Sequence, residues 1–256
     1  MWLVGRILGC ETEWYGTKTF AMIDRRRRID APFSHRAQLI SILETCEIDL
    51  VLDVGANEGQ FGRLIRRFYR GAIYSFEPVE EAFGRLACTA AEDPNWYVFK
   101  LGLGNSDAKM KINVPTETDF SSLLKANDYC INRFGDGARA IKTEEITVVR
   151  LDRLLEQSIP GLRDKRIFLK MDTQGYDLEV FKGLGSLLDQ TMVLQTELPV
   201  IPIYEGMPHW TESIATFEKA GLQIVGMFPI SRDSEWVVEY DCLLARKNCQ
   251  ARAKVD

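Results

Sequence analysis

LVLDVGANEGQ, residues 50 to 60, is an apolar run that stops on Asp53 and breaks at once into a loop carrying Gly55 and Gly59. Beyond it Phe61, Leu64, Ile65 and Phe68 recur at i, i+3, i+4 and i+7, with Arg63, Arg66, Arg67 and Arg70 at other positions. The whole therefore reads as strand, tight turn and amphipathic helix. Glycine permits positive φ and lets a ligand approach the backbone without meeting a Cβ, while a helix N-terminus offers free N–H groups to polar ligands. In an open α/β sheet, nucleotide-like ligands sit in the crevice beyond the carboxyl end of such a strand.

The alternation continues outward from that stretch. Residues 36 to 47 place Leu39, Ile40, Leu43 and Cys46 at helical spacing ahead of the strand. AIYSFEP (72 to 78) is a strand that ends on Glu77 and is stopped by Pro78; a helix through Phe83 and Leu86 follows, then a third strand, WYVFKLGLGN (96 to 105). This order predicts a mostly parallel sheet with helices on both faces and right-handed crossovers. RIFLKMD (166 to 172) is a buried strand ending on Asp172, TQGYDLEVFKG turns into a helix, and TMVLQTE (191 to 197) ends on Glu197. LQIVGMF and WVVEYDCLLARK, joined by a short link, predict an antiparallel hairpin.

Two regions break the rhythm. Residues 107 to 150 predict a β-rich insertion, KMKINV paired with EITVVRL, around a mobile middle at about 127 to 143. Residues 1 to 35 carry Trp2, Trp14, Tyr15 and Phe20 without clean periodicity, then Arg25 to Arg28, and read as an N-terminal cap. The expected organisation is thus a cap over 1–35, an α/β domain over 36–248 containing the insertion, and a tail over 249–256. The arginine run reads as a solvated face, with steering of an anionic substrate or a targeting signal as its functional alternatives.

A chain of 256 residues, 46% hydrophobic and 27% charged, can bury a substantial core and shows no bias towards disorder. A net charge of −5 argues against nucleic-acid partners, which call for a dominant basic face. The six cysteines show no CxxC pair and no neighbouring histidine cluster, so reduced core thiols in a cytoplasmic protein are expected, rather than disulfides or zinc. MWLVGRILG is broken by Arg6 and has neither a basic lead nor a cleavage site, so it reads as neither signal peptide nor transmembrane span. The sequence leaves a homo-oligomer open.

Asp53, Glu77, Asp172 and Glu197 each close a strand, and in a parallel sheet those ends share one edge. A carboxylate at Glu77 suits a ribose diol in either a nicotinamide or an S-adenosylmethionine site. DVGANEG lacks the GxGxxG series that wraps a pyrophosphate, which favours a ligand without phosphates.

DVGANEG, SFEP, KMDTQGYDLEVFKG and LQTELPVIPIYEG, in this order, resemble the FkbM-type branch of class I S-adenosylmethionine-dependent methyltransferases over about residues 48 to 245. The resemblance implies a Rossmann-like seven-stranded sheet, mostly parallel with its last-formed strand antiparallel. It implies that Asp53, Gly55, Asn57 and Gly59 line the methionine portion of S-adenosylmethionine, that Glu77, with Pro78 beside it, holds the ribose, and that Leu103 and Gly104 border the adenine. Asp172 would lie near the methionine amino group or the transferred methyl. Asp177 stands where the family usually has Glu, with the charge kept.

The implied reaction is O-methylation of a hydroxyl on a sugar, glycan, glycolipid or related natural product. For such an acceptor Asp172, Glu197 and His209 are candidate bases and Lys170 an electrostatic partner. A divalent cation such as magnesium on Asp172 and Glu197 is the alternative route to an acidic hydroxyl. Ser121, Ser122, Tyr204, Trp210 and His35 are candidate acceptor contacts. A nicotinamide-dependent oxidoreductase and a catalytically silent cofactor-binding scaffold are the rival readings.

Overall fold

The computed structural model describes residues 10–15, 19–24, 34–159 and 161–249. Strands β1 (Cys10–Tyr15) and β2 (Thr19–Asp24) pair antiparallel with each other. The main run follows with α1 (His35–Thr45), β3 (Leu50–Val54), α2 (Gln60–Arg66), β4 (Ala72–Phe76), α3 (Glu80–Ala90) and β5 (Trp96–Phe99). Next come β6 (Gly102–Gly104), β7 (Ala108–Pro115), α4 (Asp128–Phe134) and β8 (Ala140–Arg150). The chain continues through α5 (Leu151–Ser158), β9 (Ile167–Met171), α6 (Asp177–Lys182), β10 (Thr191–Pro199), α7 (Trp210–Lys219), β11 (Leu222–Asp233) and β12 (Trp236–Arg246).

Seven strands form one sheet in the order β11-β12-β10-β9-β3-β4-β5, and β12 alone runs opposite to the other six. This is the fold class that the sequence predicts. β3 lies inside the sheet, and all five of its residues are buried, because helices cover both faces. Leu50, Leu52 and Val54 pack with Leu155 of α5, Phe181 of α6 and Phe217 of α7. Val51 packs on the other face with Leu39 of α1, Ile65 of α2 and Leu86 of α3. Asp53 shares the parity of Val51, so a carboxylate with no exposed surface points into that second layer.

WYVFKLGLGN is two strands. A tight turn, Leu101 N–H to Phe99 O at 3.0 Å, ends β5, and β6 leaves the main sheet for a second one ordered β6-β8-β7. The middle expected to be mobile instead holds α4. Asn127 caps it by accepting the Cys130 N–H at 2.9 Å and donates to Pro202 O at 2.8 Å, while Cys130 packs with Ile203, Tyr204 and Val238. So short a helix is held by tertiary contacts rather than by its own periodicity.

The cysteine expectation is corrected. Cys46, at the end of α1, and Cys249, just past β12, form a disulfide across 203 residues of sequence. Arg166 sits beside it, donating to Cys46 O at 2.5 Å and to Cys249 O at 2.6 Å. Local spacing carries no information about a pair made by two distant segments meeting. Cys88, Cys130 and Cys242 are free. The Arg25 to Arg28 run and the tail beyond 249 lie outside the described residues. Among the described residues no helix is long and apolar enough to cross a membrane.

Candidate active site

A cavity of about 490 Å³ runs along the carboxyl edge of the main sheet. Asp241, Gln195, Glu197 and His35 line one end, Lys170, Asp172 and the Gly55–Asn57 loop its middle, and Glu77, Pro78 and Leu101–Leu103 the other end. Ile112, Thr118, Asp119, Ser121, Leu123 and Ile146 add walls from the insertion.

The glycine loop is shaped by close approach. Gly55 has φ +72°, and a Cβ there would fall 1.9 Å from the Asp172 carbonyl oxygen. The β3 and β9 backbones therefore meet at this point, where Asp172 N–H also bonds Val54 O at 2.9 Å. Asn57 holds φ +45°; its side chain bonds Asp119 and accepts from Thr118 Oγ1 at 3.0 Å, which latches the insertion onto the loop. Glu77 is 6% exposed, and its two oxygens accept the Asn57 and Val79 N–H groups, each at 2.9 Å. Burial pushes its carboxyl up to about 7, against the pull of those two N–H groups.

A buried polar row crosses four strands under the cavity floor. Parallel register sets Ser75, Asp53, Lys170 and Gln195 side by side on β4, β3, β9 and β10. Trp96 Nε1 donates to Ser75 Oγ at 2.9 Å, and Ser75 donates to Asp53 Oδ2 at 3.1 Å. The Lys170 ammonium lies 3.5 Å from Asp53 Oδ1, 3.1 Å from Asp172 Oδ2 and 3.3 Å from Gly55 O. Burial works against that ammonium, but Asp172 and Asp53 together hold it above the ordinary lysine range. Lys170 is thus a fixed cation at the middle of the site, with its hydrogen bonds already committed.

Gln174 organises the acidic side. It has φ +51°, and its Nε2 donates to Asp172 Oδ1 at 2.9 Å and to Glu197 Oε2 at 3.1 Å. Its Oε1 accepts the Tyr204 hydroxyl at 2.8 Å, and its carbonyl accepts the Ser122 hydroxyl at 2.7 Å. Burial, then the nearby Asp172, Glu239 and Asp241, raise Glu197 well above the usual carboxylate range. Asp177 closes the turn below, accepting from Thr173 N–H at 2.9 Å and Thr196 Oγ1 at 2.7 Å.

Of the residues expected in the site, Gly55, Asn57, Glu77, Pro78, Leu103, Lys170, Asp172, Glu197, Ser121 and His35 line the cavity. Asp53 lies behind Lys170 in the buried row, and Gly59 starts α2 against Trp96. Gly104 packs against Gly183, whose Cβ would fall 2.0 Å from Gly104 O. Ser122 is buried, donates its hydroxyl to the Gln174 carbonyl and is not among the residues lining the cavity. Tyr204 and Trp210 border a small adjoining cleft with Glu239, which shares Gln174 and Glu197 with the main cavity. His209 caps α7, its ring accepting the Thr211 N–H at 3.4 Å, and it is not among the residues lining the cavity; sequence proximity to the Glu197 strand does not carry it there. Sequence reasoning missed Ser75, Gln174, Gln195 and Asp241. Strand parity could have found Gln195, two residues before Glu197 and on its face.

The residues do not fit a divalent cation. One Asp172 oxygen faces the Lys170 ammonium, Gln174 bridges the other to Glu197, and among the described residues no group of three or more His, Cys, Asp or Glu could hold a metal.

The model of the methyltransferase FkbM domain matches residues 53–223. The chain belongs to the FkbM methyltransferase family. The match starts at Asp53 and takes in the glycine loop, Glu77, the insertion, Asp172 and Glu197; His35 and Asp241 lie outside it. Similar solved structures include a precorrin-6y C5,15-methyltransferase from Geobacter metallireducens, at 12% identity and TM-score 0.44, covering 83% of this chain and 87% of that one. A magnesium protoporphyrin IX methyltransferase from Synechocystis, solved with bound S-adenosylmethionine, shows 10% identity and TM-score 0.45 over 83% of this chain and 78% of its own. Aeropyrum pernix fibrillarin, also with bound S-adenosylmethionine, shows 11% identity and TM-score 0.45 over 94% and 84%. Likenesses this distant say nothing about cofactor or acceptor. No match is found among curated protein sequences.

Proposed function

We propose that this FkbM-family chain transfers the methyl group of S-adenosylmethionine to a hydroxyl oxygen of a sugar, glycan, glycolipid or related small molecule. The observation that carries the reading is the placement of two unlike ends on one cavity: a fixed carboxylate with apolar neighbours at Glu77, and a carboxylate cluster at Glu197, joined by a glycine loop that leaves no room for a Cβ. Glu77 and Pro78, with Leu101 to Leu103, would hold the adenosine portion, and Gly55 to Asn57 with Asp172 the methionine portion. When bound, the cofactor supplies an electrophilic methyl group on a sulfonium.

The chain's own residues position the acceptor and take its proton. Asp172 has both oxygens engaged, by Lys170 and Gln174, which suits it to positioning rather than to taking the acceptor's proton. Glu197 shares one oxygen with Gln174 and has a raised proton affinity, which suits it to accept the hydroxyl proton as the new O–CH3 bond forms. Lys170 offsets the charge of Asp53 and Asp172 and holds the Gly55 carbonyl, keeping the loop in register. Orientation of two bound reactants is worth up to ~7–11 kcal/mol of barrier, so a rigid floor serves the reaction.

The test is transfer of labelled methyl from S-adenosylmethionine to a panel of hydroxylated glycans, with the product linkage read by mass spectrometry. A methyl ether is expected, and Glu197→Gln should lower kcat by ~10²- to 10⁴-fold. A methyl on nitrogen or carbon, or a fully active Glu197→Gln, would overturn the assignment.

A further inference from the structure

At its β10–β12 end the cavity presents acceptor atoms with few donors. Glu197 and Asp241 line it there beside Gln195, which is 4% exposed. Gln195 gives its amide N–H to Asp241 Oδ1 at 3.2 Å and leaves Oε1 without a partner. Among the described residues lining the cavity, Glu77, Asp119, Asp172, Glu197 and Asp241 are acidic, whereas Lys170 and His35 are the basic ones. Lys170 is committed to Asp53, Asp172 and the Gly55 carbonyl. His35 Nδ1 lies 3.5 Å from Asp241 Oδ2, and among the described residues Glu197 makes no direct ion pair, feeling the Lys170 charge only from further off. Glu197 is half-buried and takes its hydrogen bond from the neutral Gln174 amide, so a ligand cation beside it supplies the charge compensation that an amide does not.

Resting on the methyl-donor reading above, we propose that the acceptor carries a primary ammonium group near the hydroxyl to be methylated, as in an amino sugar or aminocyclitol, with Asp241 and Gln195 Oε1 holding the ammonium beside Glu197. Gln195 Oε1 has no partner, and the Asp241 oxygens, each with a second lone pair beside its Gln195 or His35 contact, add acceptors for the remaining N–H donors of an ammonium. The ammonium's charge also favours the ionised form of Glu197, the form able to take the hydroxyl proton; burial and three neighbouring carboxylates otherwise work against it. The same excess of negative charge repels sugar phosphates and nucleotide sugars.

The test uses saturation-transfer NMR on the full chain, with and without S-adenosylhomocysteine. Glucosamine and 2-deoxystreptamine are compared with glucose, N-acetylglucosamine and glucose 6-phosphate. The amine probes should bind about ten-fold more tightly than the neutral ones, a difference within reach of one charge-assisted hydrogen bond. Asp241→Asn should erase that preference while calorimetry shows S-adenosylhomocysteine still bound. Equal binding of amine and N-acetyl probes, tighter binding of glucose 6-phosphate, or a preference that survives Asp241→Asn overturns the inference. If the amine preference holds and S-adenosylhomocysteine does not bind, the methyl-donor reading fails and the ammonium site stands; the reverse outcome fails the ammonium site alone.

Discussion

Replacing Lys170 with methionine removes the one ammonium between Asp53 and Asp172 and leaves the volume nearly unchanged. Asp53 has no exposed surface, and Ser75 satisfies only one of its oxygens. Breaking a buried ion pair by deleting one partner costs ~3–5 kcal/mol, because the charge left behind can neither pair nor reach water. For a chain of this size that corresponds to a fall in Tm of roughly 6–20 °C. The variant should lose the least at low pH. Burial already raises the folded-state pKa of Asp53, against the pull of Lys170, and removing Lys170 raises it further. The folded variant then holds a proton that the unfolded chain has released, so its stability falls as pH rises from about 3.9, the unfolded value, through the folded one. The double variant Lys170→Met with Asp53→Asn removes the orphaned charge and should recover most of the loss, ending within ~1–2 kcal/mol of wild type, the value of the hydrogen bonds given up. Urea unfolding followed by circular dichroism at pH 5 and pH 7 reads both quantities. A Lys170→Met variant as stable as wild type, or a deficit that is the same at both pH values, would refute the reasoning.

Gly55→Ala should lose ~2–5 kcal/mol, combining left-handed backbone strain with a methyl pressed into the Asp172 carbonyl, whereas Gly84→Ala in α3, where nothing lies within 4 Å, should gain up to ~1 kcal/mol. Urea midpoints of the two variants decide this, and equal midpoints would count against the close approach. Because Glu77 is raised to about 7 in the fold, wild type should lose stability relative to Glu77→Gln as pH rises from about 4.5 to about 7, and the gap should be constant above that; a flat difference across the window would remove the shift. Cys46→Ser should cost ~2–4 kcal/mol in non-reducing buffer and make the protein insensitive to dithiothreitol, whereas a wild type whose melting point is unmoved by reductant would argue against the Cys46–Cys249 link.

The sheet was legible because its strands are buried on both faces and write themselves as apolar runs; LVLDV and RIFLKM need no partner to be recognised. The four acidic strand ends were legible for the same reason, since parallel strands bring their carboxyl ends to one edge. What stayed hidden is set by register and by distant chain. Ser75 inside AIYSF looks like an ordinary strand residue until the register places it beside Asp53. Asp241 lies on an antiparallel strand, and it reaches the cavity because β12 pairs Asp241 with Glu197. His209 misled because a histidine just past a functional strand reads the same whether it points into the cleft or caps the next helix, and the cap competes well at that position. Cys46 and Cys249 offered no spacing to read, since the fold alone brings them together.

The central claim, that the Glu77 end of this cavity holds the adenosine of a methyl donor, is tested most directly by calorimetric titration of S-adenosylhomocysteine into wild type and Glu77→Ala, with NADH as the control ligand. The account expects saturable binding to wild type, a loss of ~1.5–3 kcal/mol in Glu77→Ala, and no heat from NADH. Unchanged affinity in Glu77→Ala, or saturable binding of NADH with none of S-adenosylhomocysteine, would contradict it.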